Sequence, residues 1–265
     1  VIDSYYINKN YVNKLYDKGF KIILFDDRIT SGLKANILIN QNLSFTKKDY
    51  KKTNVKKLLV GQKYSIISDN LISIKKRRKL KKKIKNIMID FGQASSKEMQ
   101  YFLNYFQFIK KINYSIVIKK NWINFGRLKK LLNDKKNVKI IYNNKLYFKS
   151  LYNIDLVIGG YGFSEIEKKF LNIPSLAFSL SEDQKIIGSK NKKIQNNYLG
   201  DLNVRNIKKL NYLIKKFISD YKFFMKDLVK KMIKVDGKGK TEIYKEVLKL
   251  LKWKICNILL LIKKD

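Results

Sequence analysis

Short apolar runs alternate with longer stretches in which apolar residues recur every three or four positions. Continuous apolar runs are typical of strands covered on both faces, and a 3.6-residue period is typical of amphipathic helices. The pattern predicts strands at Lys21–Phe25, Asn36–Ile39, Ile84–Phe91, Tyr114–Ile118, Val138–Tyr142, Asp155–Ile158 and Ser175–Phe178. It predicts intervening helices at Ser4–Asp17, Lys97–Lys111, Phe125–Leu132 and Ser164–Leu171. The fold class that follows is α/β, with parallel, doubly wound sheets built from βαβ units.

Beyond about residue 180 the pattern predicts helices and no further strand: Asp183–Gln195, Val204–Tyr221, Lys222–Val235 and Thr241–Leu261. A run of cations at residues 75–83 predicts a basic linker. Residues 1–74 have room for only two or three strands, so they predict a partial N-terminal Rossmann-like domain. Residues 84–235 predict a complete nucleotide-binding domain, and residues 236–265 predict a C-terminal helix. Because the chain opens on the strand-like pair Val1 and Ile2 without a Met, we expect it to begin inside a domain.

The 265 residues carry a formal net charge of +38, which by itself points to nucleic acid or an anionic membrane. All but five of the 59 cations are Lys. The chain is also rich in Ile, Asn and Tyr. AT-rich genomes over-use these residue types, whereas a phosphate reader favours Arg. The composition therefore predicts no specific nucleic acid partner and at most weak contact with an anionic membrane.

The sequence has no His and a single cysteine, Cys256. We therefore expect no His-ligated or thiolate metal site, no disulfide framework and no cofactor. No apolar run approaches the roughly 20 residues of a membrane span, and no signal peptide is visible, so a cytoplasmic location is expected.

Two glycine-rich segments that follow predicted strands are the candidate ligand-binding sites. The strand at Asp155–Ile158 runs into Gly159, Gly160 and Gly162, and a helix begins at Ser164. The strand at Ile84–Phe91 runs into Gly92 and Gln93 in the same predicted domain. Glycines let backbone amides approach a phosphate, and ligands of open α/β sheets sit at the carboxyl ends of strands. Tight turns and helix–strand packing also use glycine, so the pattern favours nucleotide binding without requiring it.

Glu167 follows about one and a half helical turns after Gly162, where a carboxylate can accept hydrogen bonds from ribose hydroxyls. A helix ion pair with Lys168 or a later Lys is the alternative interpretation of this spacing.

Motifs across about residues 1 to 200 resemble the UDP-diacetamido-trideoxyhexose hydrolases of pseudaminic acid biosynthesis. These enzymes are related to spore-coat polysaccharide proteins and to glycosyltransferase-B enzymes. The motifs are Asp3-Ser4-Tyr5, Phe25-Asp26-Asp27, Asn36–Asn42 (NILINQN), Leu58–Tyr64 (LLVGQKY), Ile89–Gln93 (IDFGQ), Gly162–Glu167 (GFSEIE), Leu171–Leu176 (LNIPSL) and Glu182-Asp183-Gln184. The spacing from Gly162 to Pro174, the only proline, matches the family pattern without a gap.

The resemblance implies a glycosyltransferase-B fold with two Rossmann-like domains, the N-terminal one incomplete. It implies a UDP-sugar substrate that is hydrolysed at its anomeric carbon, releasing UDP. The implied nucleotide-binding residues are Gly159, Gly160, Gly162, Ser164 and Glu167, and the implied substrate-binding residues are Gly92, Gln93, Asp183, Gln184, Asp3 and Tyr5.

The catalytic histidine of the family lies upstream of its Asp-x-Tyr motif, so these residues hold no catalytic group of that kind. The chain also has Gln93 in place of a glycine, Ile166 in place of a tryptophan and Asp183 in place of an asparagine. Three alternatives stay open: a UDP-sugar hydrolase, a UDP-sugar-dependent glycosyltransferase, and a non-catalytic relative that only binds nucleotide. A binding protein for nucleic acid or anionic membrane, using residues 75–83 and the helix around Trp253, is a fourth.

Overall fold

The structure, a computed structural model, describes residues 1–4, 6–78, 83–92, 94–192 and 196–251. The chain divides into two compact units. Unit 1 comprises Val1–Ile67 together with the chain from Asp236 onward, and unit 2 comprises Ser68–Val235. Each unit contains one parallel sheet flanked by helices. The predicted α/β class is confirmed.

The strands and helices of the described residues are numbered in chain order. The strands are β1 (Ile23–Phe25), β2 (Lys34–Asn40), β3 (Asn54–Val60), β4 (Asn86–Asp90), β5 (Asn113–Val117), β6 (Val138–Ile141), β7 (Leu156–Gly160), β8 (Ser175–Ser179) and β9 (Tyr198–Asp201). The helices are α1 (Lys9–Asp17), α2 (Asp69–Arg77), α3 (Ser96–Tyr105), α4 (Phe125–Asn133), α5 (Asn144–Leu151), α6 (Ser164–Phe170), α7 (Glu182–Lys192), α8 (Val204–Ser219), α9 (Tyr221–Phe224) and α10 (Gly239–Leu251).

The sheet of unit 1 has the strand order β1-β2-β3, and both of its faces are covered. On one face Leu24 and Leu38 pack with Val12 of α1. On the other face Ile37 packs with Ile243 of α10. Two covered faces explain why six of the seven residues of β2 are buried. The described part of the C-terminal helix therefore belongs to the core of unit 1.

The sheet of unit 2 has the strand order β6-β5-β4-β7-β8-β9. The chain adds β5 and β6 on one side of β4, then returns and adds β7, β8 and β9 on the other side. This order is the doubly wound Rossmann arrangement, which reverses direction between β4 and β7. All five residues of β7 and of β8 are buried. Phe91, Phe102 and Phe178 pack together in the core that supports the carboxyl ends of the strands.

Several predicted elements have different extents in the structure. The expectation of no strand after residue 180 is wrong, because β9 extends the sheet. β9 has only four residues, of which Gly200 and Asp201 are not apolar, so it gives no apolar run. The helix predicted over Lys222–Val235 is only the single turn α9 followed by a π-helical turn at Met225–Val229. The helix predicted over Lys97–Lys111 ends at Tyr105.

The basic run begins inside a helix, since Lys75, Lys76 and Arg77 form the last turn of α2. The guanidinium of Arg78 donates to the carbonyl oxygen of Leu151 at 2.9 Å and also to that of Ile154. Arg78 thus satisfies carbonyls at and beyond the carboxyl end of α5. Residues 79–82 lie outside the described residues, and the predicted linker over residues 75–83 stays a prediction.

Candidate functional site

The carboxyl ends of β4 and β7 lie side by side where the strand order of unit 2 reverses. Asp90 is in register with Gly159, so the segments that follow the two strands leave the sheet together. Open α/β sheets bind their ligands in the crevice at such a switch point. The two glycine-rich junctions singled out in the sequence therefore meet at one place.

Gly159 is required by the packing of the two strands. It is a residue of β7 and not of a turn, and a Cβ atom there would lie 1.9 Å from the carbonyl oxygen of Asp90. Gly160 ends the same strand, and a Cβ atom there would lie 3.3 Å from the carbonyl oxygen of Phe91. The sequence therefore placed the turn two residues too early, and only Gly162 of the three glycines lies in it.

The turn between β7 and α6 uses some of its amides internally. The amide of Tyr161 donates to the carbonyl of Phe178 at 2.7 Å, and that of Gly162 donates to the carbonyl of Gly160 at 3.1 Å. Among the described residues, the amides of Phe163 and Ser164 have no acceptor. Two adjacent donors thus remain at the beginning of α6.

Gln184 lies against this turn. Its Oε1 accepts a hydrogen bond from the amide of Leu180 at 3.0 Å. Its Nε2 would be 3.6 Å from a Cβ atom on Gly162. Asp183, the other predicted residue of this motif, is exposed on α7. The structure therefore brings Gln184 to the predicted site through its contacts with Leu180 and Gly162.

Asp90 holds the segment after β4. Its Oδ1 accepts the amide of Gly92 at 2.9 Å, and Gly92 has a φ of 59°, a left-handed conformation that suits glycine. Burial raises the pKa of Tyr147, as do the charges of Asp90 and Glu167 and a hydrogen bond to Asp90. Burial also raises the pKa of Glu167; Lys168 opposes this effect and Asp90 adds to it. Asp90, Tyr147 and Glu167 thus form one group of interacting side chains beside Gly92.

A buried charged network lies beneath α6 and was missed by the sequence analysis. The carboxylate of Glu165 accepts from Lys168 at 2.9 Å, Lys169 at 3.3 Å, Ser175 at 2.7 Å and Asn197 at 2.8 Å. Glu165 is only 1% exposed. Burial opposes its ionisation, yet the two lysines and the hydroxyl lower the pKa of Glu165 to about 2. The i,i+3 and i,i+4 spacing of Glu165, Lys168 and Lys169 was the available signal.

A cavity of about 590 Å³ opens beside the switch point. It lies at the carboxyl ends of β8 and β9, against the first turns of α3 and α7. Its lining includes lysine, carboxylate and hydroxyl side chains: Lys97, Glu98, Tyr101, Ser179, Ser181, Glu182, Lys185 and Asp201. Leu180 and Leu202 complete the lining.

Of the remaining predicted residues, the structure describes Asp3. Asp3 is exposed in unit 1, next to the bridge between Ile2 and Leu24. Tyr5 and Gln93 lie outside the described residues. Within the described ranges, no cluster of three or more His, Cys, Asp or Glu residues is arranged to hold a metal ion. No helix in these ranges is long and apolar enough to cross a membrane.

No protein-family model matches the sequence, and no protein with a curated description matches it. Several solved structures match the fold of the chain. MurG of Acinetobacter baumannii has a TM-score of 0.59 at 13% identity, over 91% of this chain and 71% of that one. The glycotransferase of kitacinnamycin has a TM-score of 0.56 at 11% identity, over 83% of this chain and 56% of that one. S. aureus MnaA, solved with UDP, has a TM-score of 0.55 at 12% identity, over 92% of this chain and 71% of that one.

In eight of the solved structures that it matches, the chain spans from 45% to 71% of each protein's length. At identities of 11% to 13%, the likeness concerns the fold. The chain has the glycosyltransferase-B-type α/β fold, with two Rossmann-like sheets.

Proposed function

We propose that unit 2 binds the uridine diphosphate of a UDP-sugar at the β4–β7 switch point. The observation that carries this proposal is the meeting of the Gly92 and Gly162 segments at the reversal of strand order, where the amides of Phe163 and Ser164 have no acceptor in the part of the chain that the structure describes. Backbone amides at a helix start are suited to phosphate. The fold shared with MnaA, which was solved with UDP, supports the choice of nucleotide.

Each predicted nucleotide-binding residue has a distinct role in this proposal. The amides of Phe163 and Ser164 donate to the diphosphate, and the missing side chain of Gly162 leaves room for it. The carboxylate of Glu167 accepts the ribose hydroxyls. Gly159 and Gly160 act indirectly, because they allow the two strands to approach and thereby set the position of the turn.

For the reaction we propose the hydrolysis of a UDP-sugar in surface polysaccharide biosynthesis, with a diacetamido-trideoxyhexose as the sugar. The motif resemblance supports this choice. Sugar transfer to an acceptor other than water is the second candidate, and the shared fold of the kitacinnamycin glycotransferase favours it. A relative that only binds nucleotide is the third. Six residues stay predicted substrate-binding residues: Gly92, Gln93, Asp183, Gln184, Asp3 and Tyr5.

Titration of the chain with UDP tests the binding proposal. We expect millimolar UDP to raise the melting temperature, because a ligand that binds only the native state stabilises it. Gly162→Val should abolish the shift by filling the turn. Gly126→Val is the matched control, since a Cβ atom at Gly126 meets nothing within 4 Å. A native chain whose melting temperature does not respond to UDP contradicts the proposal.

Release of UDP from a UDP-sugar tests the reaction. Because the sequence has no His, we expect these 265 residues to bind the UDP-sugar without hydrolysing it. The same assay on the product of the whole gene should show UDP release in water if the protein is a hydrolase. Release that requires an added acceptor would instead identify a transferase, and no release under either condition would favour the non-catalytic relative.

A further inference from the structure

The cavity at the ends of β8 and β9 is separated from the end of β7 and the turn that follows it by a single layer of side chains. Leu180 lines the cavity, and its Cδ1 would be 3.3 Å from a Cβ atom on Gly160. Gln184 bonds to the amide of Leu180 and also borders Gly162. A group attached to a diphosphate at the turn therefore has this cavity as its neighbour.

The cavity contains a fixed hydrogen-bond acceptor. The hydroxyl of Ser179 donates to Oδ1 of Asp201 at 2.6 Å, and the hydroxyl of Tyr198 lies 2.9 Å from the same serine oxygen. Because Ser179 has one hydroxyl proton and donates it to Asp201, Tyr198 donates to Ser179. Ser179 and Tyr198 are buried, whereas the side chain of Asp201 is 54% exposed. Asp201 is thus held by one buried donor, Ser179, which Tyr198 supports, and it is open towards the cavity.

The charges of the cavity contrast with those of the whole chain. Its lining has three carboxylates, Glu98, Glu182 and Asp201, and two lysines, in a protein with a net charge of +38. Lys185 lies 3.7 Å from Oδ2 of Asp201 and 3.8 Å from Glu182. Carboxylates accept hydrogen bonds from hydroxyl groups and repel another carboxylate. The cavity is therefore suited to a group that carries hydrogen-bond donors, such as hydroxyl or amide N–H groups, and no negative charge.

We propose that this cavity holds the glycosyl group of the UDP-sugar and that Asp201 selects an uncharged sugar over an anionic one. The inference rests on the proposed binding of UDP at the neighbouring turn. Asp201 accepts a sugar hydroxyl through Oδ2, the oxygen that does not accept from Ser179. Ser179 and Lys185 hold the carboxylate in place. The cavity volume of about 590 Å³ is within the range of small-molecule sites.

Calorimetric titration of the whole chain with UDP, UDP-glucose and UDP-glucuronic acid tests this inference. These probes share the nucleotide and differ only in the sugar. We expect UDP-glucose to bind at least about ten-fold more tightly than UDP-glucuronic acid, because the glucuronate carboxylate meets Asp201. Asp201→Asn should weaken the binding of UDP-glucose by about ten-fold and leave the affinity for UDP unchanged. It should also reduce the difference in affinity between UDP-glucose and UDP-glucuronic acid. Ser179→Ala should change these affinities in the same direction and by a smaller factor.

Asp134→Asn is the matched control, because it removes one exposed negative charge before β6, at the opposite edge of the sheet. Unchanged UDP affinity in Asp201→Asn shows that the variant is folded. If UDP binds but the sugars do not differ, or Asp201→Asn behaves like Asp134→Asn, the inference is overturned while the proposed function stands. If the native chain binds no UDP, both are overturned.

Discussion

Replacement of Glu165 by Gln removes the only carboxylate that the buried amines of Lys168 and Lys169 contact among the described residues. Both lysines are at most 3% exposed, so the variant leaves two buried cations without a counter-charge. Breaking a buried ion pair by removing one partner costs about 3–5 kcal/mol. We expect the free energy of unfolding to fall by that amount, measured by urea denaturation followed by circular dichroism.

The same residue predicts an acid-dependent loss of stability. The pKa of Glu165 is lowered to about 2 in the folded chain, so the native state binds fewer protons than the unfolded state between about pH 4.5 and pH 2. The stabilisation is fully present above this window and is lost as the pH falls through it. A lowering from 4.5 to about 2 corresponds to about 3 kcal/mol. The native chain should therefore lose stability in this window more steeply than Glu165→Gln.

Glu182→Gln is the matched control for both measurements. Its side chain is 77% exposed and lies 3.8 Å from Lys185, so its replacement should change stability by about 0.5 kcal/mol or less. A Glu165→Gln variant that unfolds like this control, with an unchanged dependence on pH, would refute the reasoning about the buried network.

Two further predictions concern single sites. Gly159→Ala should destabilise unit 2 by about 3 kcal/mol or more, or prevent folding, because the new Cβ atom would lie 1.9 Å from the Asp90 carbonyl. Gly126→Ala, in an open helical position, should leave the urea midpoint equal or higher; equal midpoints for both variants would contradict the packing argument. Ser95→Ala should cost about 1 kcal/mol in the same assay, because Ser95 and Glu98 form a capping box at the start of α3. A cost indistinguishable from zero would contradict that assignment.

The sequence predicted the strands that are buried on both faces. β4, β7 and β8 are apolar runs because helices cover the sheet on both sides, and this burial leaves a clear pattern. β3 was not predicted as a strand because most of its seven residues are exposed or half-buried, including Lys56 and Lys57. β9 was missed because its pairing with β8 depends on long-range contacts that four residues cannot signal.

The sequence predicted which glycines belong to the candidate site, but it predicted only in part why glycine is required at each position. Gly159 is explained by the close approach of Asp90, which depends on strand order and cannot be read from local sequence. The spacing from Gly162 predicted a role for Glu167, whereas it is Glu165 that accepts the hydrogen bonds of the buried network. Which carboxylate of α6 faces inward depends on where Ser175 and Asn197 lie, and both come later in the chain.

The central claim is that a uridine diphosphate lies at the beginning of α6. A crystal structure of the chain grown with UDP tests it most directly. The account predicts diphosphate oxygens within hydrogen-bond distance of the amides of Phe163 and Ser164, with the ribose beside Glu167. UDP bound at any other place in unit 2, with these two amides left in contact with solvent, would contradict it.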